Sequence, residues 1–129
     1  MRVFADRDKI RDILTSPDIW ELVRNDREID SSTFVLPEDW LYLTDTGNEV
    51  FILSGSGHIH ANIMPETRPN AYFMCIRFID WIRRHTDLDE IYLNIHKKHK
   101  NAIRLGLLCG FTLLDIKNDR HSMLKRLKK

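Results

Sequence analysis

Shortages in this 129-residue chain close off several classes of function. It has only two cysteines, Cys75 and Cys109, with no CxxC or other zinc-ligand spacing, so a disulfide framework and a structural zinc site are not expected. Both sit inside apolar helical patterns and are expected as buried free thiols in a reducing compartment. Glycines number five and prolines four, and neither clusters into a linker, so one domain over residues 1–129 is expected. No Walker loop, Ser-His-Asp order or other nucleophile signature occurs. No run of about 18 apolar residues exists, so no membrane-spanning helix is expected. The first residues, MRVFADRDKIRD, are charged from Arg2 onward and lack an apolar stretch, so no secretory leader and a cytoplasmic location are expected.

What is present is ordinary in amount and uneven in placement. Hydrophobic residues make up 43% and charged residues 30%, which suits a domain that buries one core. The net charge is +1, yet residues 1–90 hold ten Lys/Arg against seventeen Asp/Glu, while residues 91–129 hold ten against two. Such a division marks either an anion-binding surface or two solvated faces that attract each other.

The patterning predicts mixed secondary structure. Residues 2–4 form a short strand, and 6–15 a helix with Ile10, Ile13 and Leu14 inward. Ser16-Pro17 reads as a cap and first turn of a second helix through Asn25, followed by a polar loop over 26–33. Strand-like runs at 40–44 and 49–53 flank the turn Asp45-Thr46-Gly47-Asn48, and Gly55-Ser56-Gly57 turns into a strand at 58–64. A loop over 65–70 leads to the strongest helix, 71–85. There Ala71, Met74, Cys75, Phe78, Ile79 and Ile82 share one face, and Phe73, Ile76 and Trp81 widen the apolar girdle. Strand 90–95, helix 100–109, strand 111–116, a turn at Asn118-Asp119 and a strand at 121–127 complete the chain. The order β-α-α-β-β-β-α-β-α-β-β predicts an α/β (α+β) mixed sheet with helices on both faces.

That order, the segment HIHANIMPETRP (58–69), and Ile103-Arg104-Leu105 followed by Cys109-Gly110-Phe111 resemble the GNAT superfamily of N-acetyltransferases over nearly the whole chain. The resemblance implies that the fourth and fifth strands part to admit acyl-CoA. It also implies that the diphosphate rests where a loop enters the third helix. The weak cofactor-binding candidates so implied are Ile63, Met64, Arg68, Asn70, Ala71, Tyr72, His99 and Asn101.

Two departures bear on activity. The family loop pattern Q/R-x-x-G-x-G/A meets Arg68-Pro69-Asn70-Ala71-Tyr72-Phe73 here. Ala71 and Phe73 replace small residues, Tyr72 adds bulk, and Pro69 removes an N–H donor. Aligned on Gly110-Phe111, the family's cofactor-contacting asparagine falls on His99 and its tyrosine acid on Gly106, which has no proton to give. Asn101 lies two residues on and faces elsewhere on the helix. His58 and His60 share one strand face and are the candidates for a base if transfer occurs. Otherwise they are half-exposed strand or core histidines. Glu66 reads as a solvated loop acid. His96 and His99 could bind a metal together with a third ligand, but no metal is expected.

Lys97, Lys98, Lys100 and Arg104 form a basic run that Lys125, Arg126, Lys128 and Lys129 extend. Its partners are CoA phosphates, an acidic protein or nucleic acid, or it is plain solvated surface; no interleaved aromatics serve for base stacking. Short chains with such eroded loops also resemble GNAT-like virion and head-assembly proteins of tailed bacteriophages. The resemblance therefore implies a protein without acetyltransferase activity that acts through protein contacts in particle assembly, in the host cytoplasm or the virion. On that reading no cofactor is expected. The alternatives are an active N-acyltransferase using acetyl-CoA and a basic nucleic-acid-associated protein. No membrane partner is expected, and the oligomeric state stays open.

Overall fold

The computed structural model describes residues 1–24, 28 and 30–127. The expected end of the second helix at Asn25 and the tail residues Lys128 and Lys129 lie outside the described residues. The observed order is β1 (Arg2–Val3), α1 (Arg7–Leu14), α2 (Trp20–Arg24), β2 (Leu41–Thr44), β3 (Glu49–Leu53), β4 (Ile59–Ile63), α3 (Ala71–His85), β5 (Glu90–His96), α4 (Lys100–Leu108), β6 (Thr112–Lys117) and β7 (Arg120–Arg126). The expected fold class holds. The mixed sheet is in detail two antiparallel sheets, β1-β2-β3-β4 and β5-β7-β6. Among the described residues, backbone pairing between them is a parallel bridge between His58 and Tyr92.

Apolar sequence places the core on both faces of the first sheet. β3 is the run Glu-Val-Phe-Ile-Leu, buried throughout. Phe51 and Leu53 point into a cluster with Phe78 and Ile79 of α3, while Val50 and Ile52 pack with Ile10 and Leu14 of α1. Phe51 and Phe78 are tilted against each other with ring centroids 5.0 Å apart. α1 begins at Asp6, whose carboxylate accepts the Lys9 N–H, a standard cap for an otherwise orphan donor.

The buried carboxylate of Glu49 fastens the β2–β3 hairpin. It accepts the Thr44 hydroxyl at 2.9 Å, the Asp45 N–H at 2.7 Å and the Thr46 hydroxyl at 2.7 Å, with the Thr46 N–H as a further donor. Burial alone would raise its pKa, but these donors outweigh it and hold the group below the usual carboxylate range. Gly47 supplies the left-handed residue of that turn, with φ +93°.

Three local expectations need correction. Regular α2 starts at Trp20 rather than after Pro17; the Ser16 carbonyl does accept the Ile19 and Trp20 N–H groups, but its hydroxyl reaches the Met64 sulfur instead of capping. Residues 65–70 are a 3-10 helix, not an open loop, and run directly into α3. Phe73 and Ile76 are exposed rather than part of a girdle, because only the i, i+3, i+4 stripe of α3 reaches the sheet.

Candidate functional site

Below the His58–Tyr92 bridge, β4 and β5 part. The Tyr92 N–H donates to the Gly57 carbonyl at 2.9 Å, and beyond that point the strands go separate ways. Backbone alternation aims polar groups into the gap. The Met64 N–H bonds to Asn48 O of the β3 side and Ser54 N–H to His58 O, so the N–H and C=O groups of Ile59, Ala61 and Ile63 turn the other way, toward β5.

Two connected spaces result. A cleft of about 110 Å³ lies between the strands, walled by Ile59, Ala61, Phe78, Ile79, Leu93 and Phe111. His60, Asn94, His99 and both cysteines also line it. A wider groove of about 840 Å³ opens beside it between α2, the start of α3 and α4. The two share Leu22, Ala61, His99, Ala102 and Leu105. Four cationic residues, Arg68, Lys98, Lys100 and Arg104, line the groove against two acids, Asp18 and Glu21. Lys98 Nζ lies 3.8 Å from the Glu21 carboxylate and ties α2 to the β5–α4 turn.

Of the expected binding residues, Ile63, Arg68, Ala71, His99 and Asn101 meet in this groove together with Lys98, Lys100 and Arg104. Met64, Asn70 and Tyr72 are not among its walls: Tyr72 is 40% exposed and its ring meets Phe73, which is 61% exposed. Both aromatics turn their bulk toward solvent rather than into the walls of this groove. What replaces the glycine loop is different in kind. The 3-10 turn over 65–70 already binds the Ala71 N–H through Arg68 O, and the Arg68 guanidinium donates to Ile63 O and Asp18 O, both at 3.1 Å. Lys97 leaves the basic set, since it pairs with Asp119 at 3.1 Å across the β6–β7 turn.

The two strand histidines separate. His60 lines the cleft and stacks on Trp40 with centroids 5.9 Å apart. His58 sits at the closed end, where its Nδ1 lies 2.9 Å from the Ser56 hydroxyl and its ring faces Tyr92. Gly106 is buried because α4 presses on the sheet there. A Cβ at this position would meet Leu93 Cδ1 at 2.9 Å and Met123 Cε at 3.4 Å. The glycine serves close packing and has no side chain with which to supply a proton. Among the described residues, no three His, Cys, Asp or Glu residues gather to hold a metal ion, and no helix is long and apolar enough to cross a membrane.

No family model and no curated protein matches the sequence. Solved structures do match. A domain from Methanocaldococcus jannaschii superposes with a TM-score of 0.72 at 13% identity, over 98% of this chain and 96% of that one. The spermidine N-acetyltransferase of Vibrio cholerae in complex with CoA and spermine gives 0.69 at 13% identity, over 98% and 94%. This is the GNAT fold. YncA of Salmonella typhimurium, with its cofactor acetyl-CoA, matches at 0.63 and 17% identity over 99% and 93%. In a dodecameric intermediate of the Vibrio enzyme the match spans 57% of that chain, at TM-score 0.53 and 20% identity. Within the GNAT fold, the parted seam between β4 and β5 is the architectural feature the sequence resemblance implied.

Sequence reasoning missed two sets of contributors. Asp18, Glu21 and Leu22 of the α2 region wall the groove, but their helix is short and its pattern weak. Cys75 and Cys109 line the cleft, although their helical spacing signalled only burial.

Proposed function

We propose that the seam binds an acyl-CoA thioester and that the protein is an N-acyltransferase with a reduced acid–base apparatus. The observation that carries this reading is the parting of β4 and β5 onto a groove with four cationic and two acidic side chains. The backbone N–H groups of Ala61 and Ile63 are the donors suited to the amide and thioester oxygens of an inserted arm. Lys98, Lys100 and Arg104 are suited to its phosphates, in place of a glycine nest. The fit is partial at the diphosphate, where the 3-10 turn has used the Ala71 N–H.

Transfer itself joins an amine nitrogen to the thioester carbonyl carbon and breaks the C–S bond, with the amine's proton leaving to His60 or water. Gly106 offers no acid for the departing sulfur. A thiol with a pKa of about 8.5 leaves as a thiolate without one, so the loss is bounded by the roughly 10²–10⁴-fold contributed by general acid–base help. Calorimetry with acetyl-CoA tests the reading: saturable micromolar binding that weakens with salt, and weakens further in the Lys98→Ala, Lys100→Ala double variant, supports it. Absence of any binding would sink it. Turnover with an amine, reduced in His60→Ala with binding intact, would assign the base.

A second reading, a contact role without catalysis of the kind proposed for phage particle assembly, is favoured by β6, whose six residues are all exposed, Leu113, Leu114 and Ile116 among them. On that reading a protein partner, not acyl-CoA, is the ligand, and no cofactor is used. The nucleic-acid reading fares less well, because Asp18 and Glu21 stand in the basic groove.

A further inference from the structure

Half of the large exposed apolar side chains among the described residues fall in one short stretch. They are Leu107 and Leu108 at the end of α4, and Leu113, Leu114 and Ile116 on β6. β6 is the outer strand of its sheet and is hydrogen-bonded to β7 alone. All six of its residues are exposed, so both of its faces and its outer edge are open.

The ladder fixes which backbone groups that edge offers. The Lys97 N–H donates to the Asp119 carbonyl at 2.7 Å, so Arg120 and Ser122, one and three residues on, turn their backbone groups toward β6. Their partners there are Lys117 and Asp115, whose own groups face inward. The N–H and C=O of Ile116, between them, therefore point out from the edge. A two-residue turn holds this register, with Asn118 and Asp119 both left-handed at φ 53° and 62°. Side chains follow the same logic. Leu113 pairs with Met123 and Ile116 with His121, and Met123 packs under Gly106, so Leu113 and Ile116 lie on α4's side of the sheet. Asp115 and Lys117 lie on the other side. The register shift between Leu113 and Asp115 is what lets two residues three apart share a face.

We propose that β6 pairs edge to edge, antiparallel, with β6 of a second copy about a two-fold axis through Ile116, giving a homodimer with one continuous sheet. Three features select this occupant and this register. The outward N–H and C=O of each Ile116 meet the complementary groups of the other. The two Ile116 side chains meet on α4's side. On the opposite side Asp115 faces Lys117 of the partner subunit, and Lys117 faces Asp115 of the partner subunit, in the close positions of a non-hydrogen-bonded pair. Moving the axis to Asp115 sets two carboxylates against each other, and moving it to Leu114 falls on the bulge. An edge lysine ordinarily deters passing strands. Here its charge is answered by the same sequence run antiparallel, which favours a second copy over an unrelated strand. The contact is short, so the dimer is weak and depends on concentration. It is independent of what the groove beside β4 binds.

The test is sedimentation velocity of the full chain in reducing buffer, from micromolar to millimolar protein. A reversible monomer–dimer equilibrium is expected. Asp115→Lys and Lys117→Asp each turn two attractive pairs into two repulsive ones and should weaken the dimer about tenfold or more. The double variant Asp115→Lys, Lys117→Asp should recover wild-type association. The two single variants, mixed, should associate with each other more tightly than either does with itself. Ile116→Pro removes the outward N–H while leaving the bonds of Asp115 and Lys117 to β7, and should give a folded monomer. Circular dichroism confirms that every variant folds. A wild-type chain that stays monomeric at millimolar concentration overturns the proposal and leaves the edge to a different protein. Self-association indifferent to both single charge changes also overturns it, since another surface must then be responsible. So does failure of both the double variant and the mixture to recover the dimer.

Discussion

In the β1–β4 sheet every residue of β3 is buried, with α3 on one face and α1 on the other; in the β5–β7 sheet every residue of β6 is exposed. The first sheet belongs to the acidic part of the chain, residues 1–90, and is closed on both sides. The second belongs to the cationic third of the chain and is covered on one face, by α3 and α4. The contrast separates two jobs. Stability is concentrated where apolar side chains meet from two directions, and the surfaces that can meet other molecules lie at the seam and beyond it. A strand with six exposed residues and an unpaired edge contributes little to the core and presents a template for another chain.

Substitutions can sharpen this contrast, and Phe78→Ala should do so most. Phe78 is 1% exposed and packs on Phe51, so a loss of about 3–5 kcal/mol is expected in denaturant melts. A loss below about 1 kcal/mol would mean that α3 is not the keystone of the first sheet.

Glu49→Gln comes next, at about 2–3 kcal/mol near neutral pH, since charge-assisted bonds inside the β2–β3 hairpin would be lost. Because the folded pKa is depressed, the carboxylate's contribution is present above the unfolded value near 4.5 and lost as pH falls through the folded one. The gap between wild type and Glu49→Gln should therefore close in acid. A gap independent of pH would show that the carboxylate's charge plays no part.

Gly106→Ala should cost about 1–3 kcal/mol, because the new methyl meets Leu93 at 2.9 Å and the core there must shift. Gly106→Tyr should then fail to add activity and should destabilise more. A neutral Gly106→Ala would mean that α4 can lift from the second sheet without penalty. Smallest is Ile116→Thr on β6, within about 0.5 kcal/mol in the isolated chain. A larger loss would indicate that β6 is covered in solution, and analytical ultracentrifugation would identify a second copy.

The element order and the face of α3 were legible because their periods are long and strongly apolar: Met74, Cys75, Phe78, Ile79 and Ile82 are all buried as the spacing predicts. The groove was half legible. Ile63, Arg68, Ala71, His99 and Asn101 converge there, and Lys98, Lys100 and Arg104 join them. The failures have local causes. A proline at position 69 and a polar run suggested an open loop, yet a 3-10 turn tolerates proline and buries none of its residues. Lys97 and Lys98 are neighbours in sequence, but successive residues at a turn diverge, one to Asp119 and the other to Glu21. The outward direction of Tyr72 and Phe73 was not legible, because bulk is readable from sequence and direction is not.

The alternation of β4 has a consequence for its exchange with solvent. Its even-numbered amides are hydrogen-bonded toward β3, while those of Ala61 and Ile63 face a strand that has turned away. Deuterium uptake along this one strand should therefore be two-speed, slow at His60 and Asn62 and fast at Ala61 and Ile63. Tyr92, whose N–H makes the backbone bond across the seam, should sit between those rates. β4 thus reports at single-residue spacing on the side of the molecule that holds and on the side that opens.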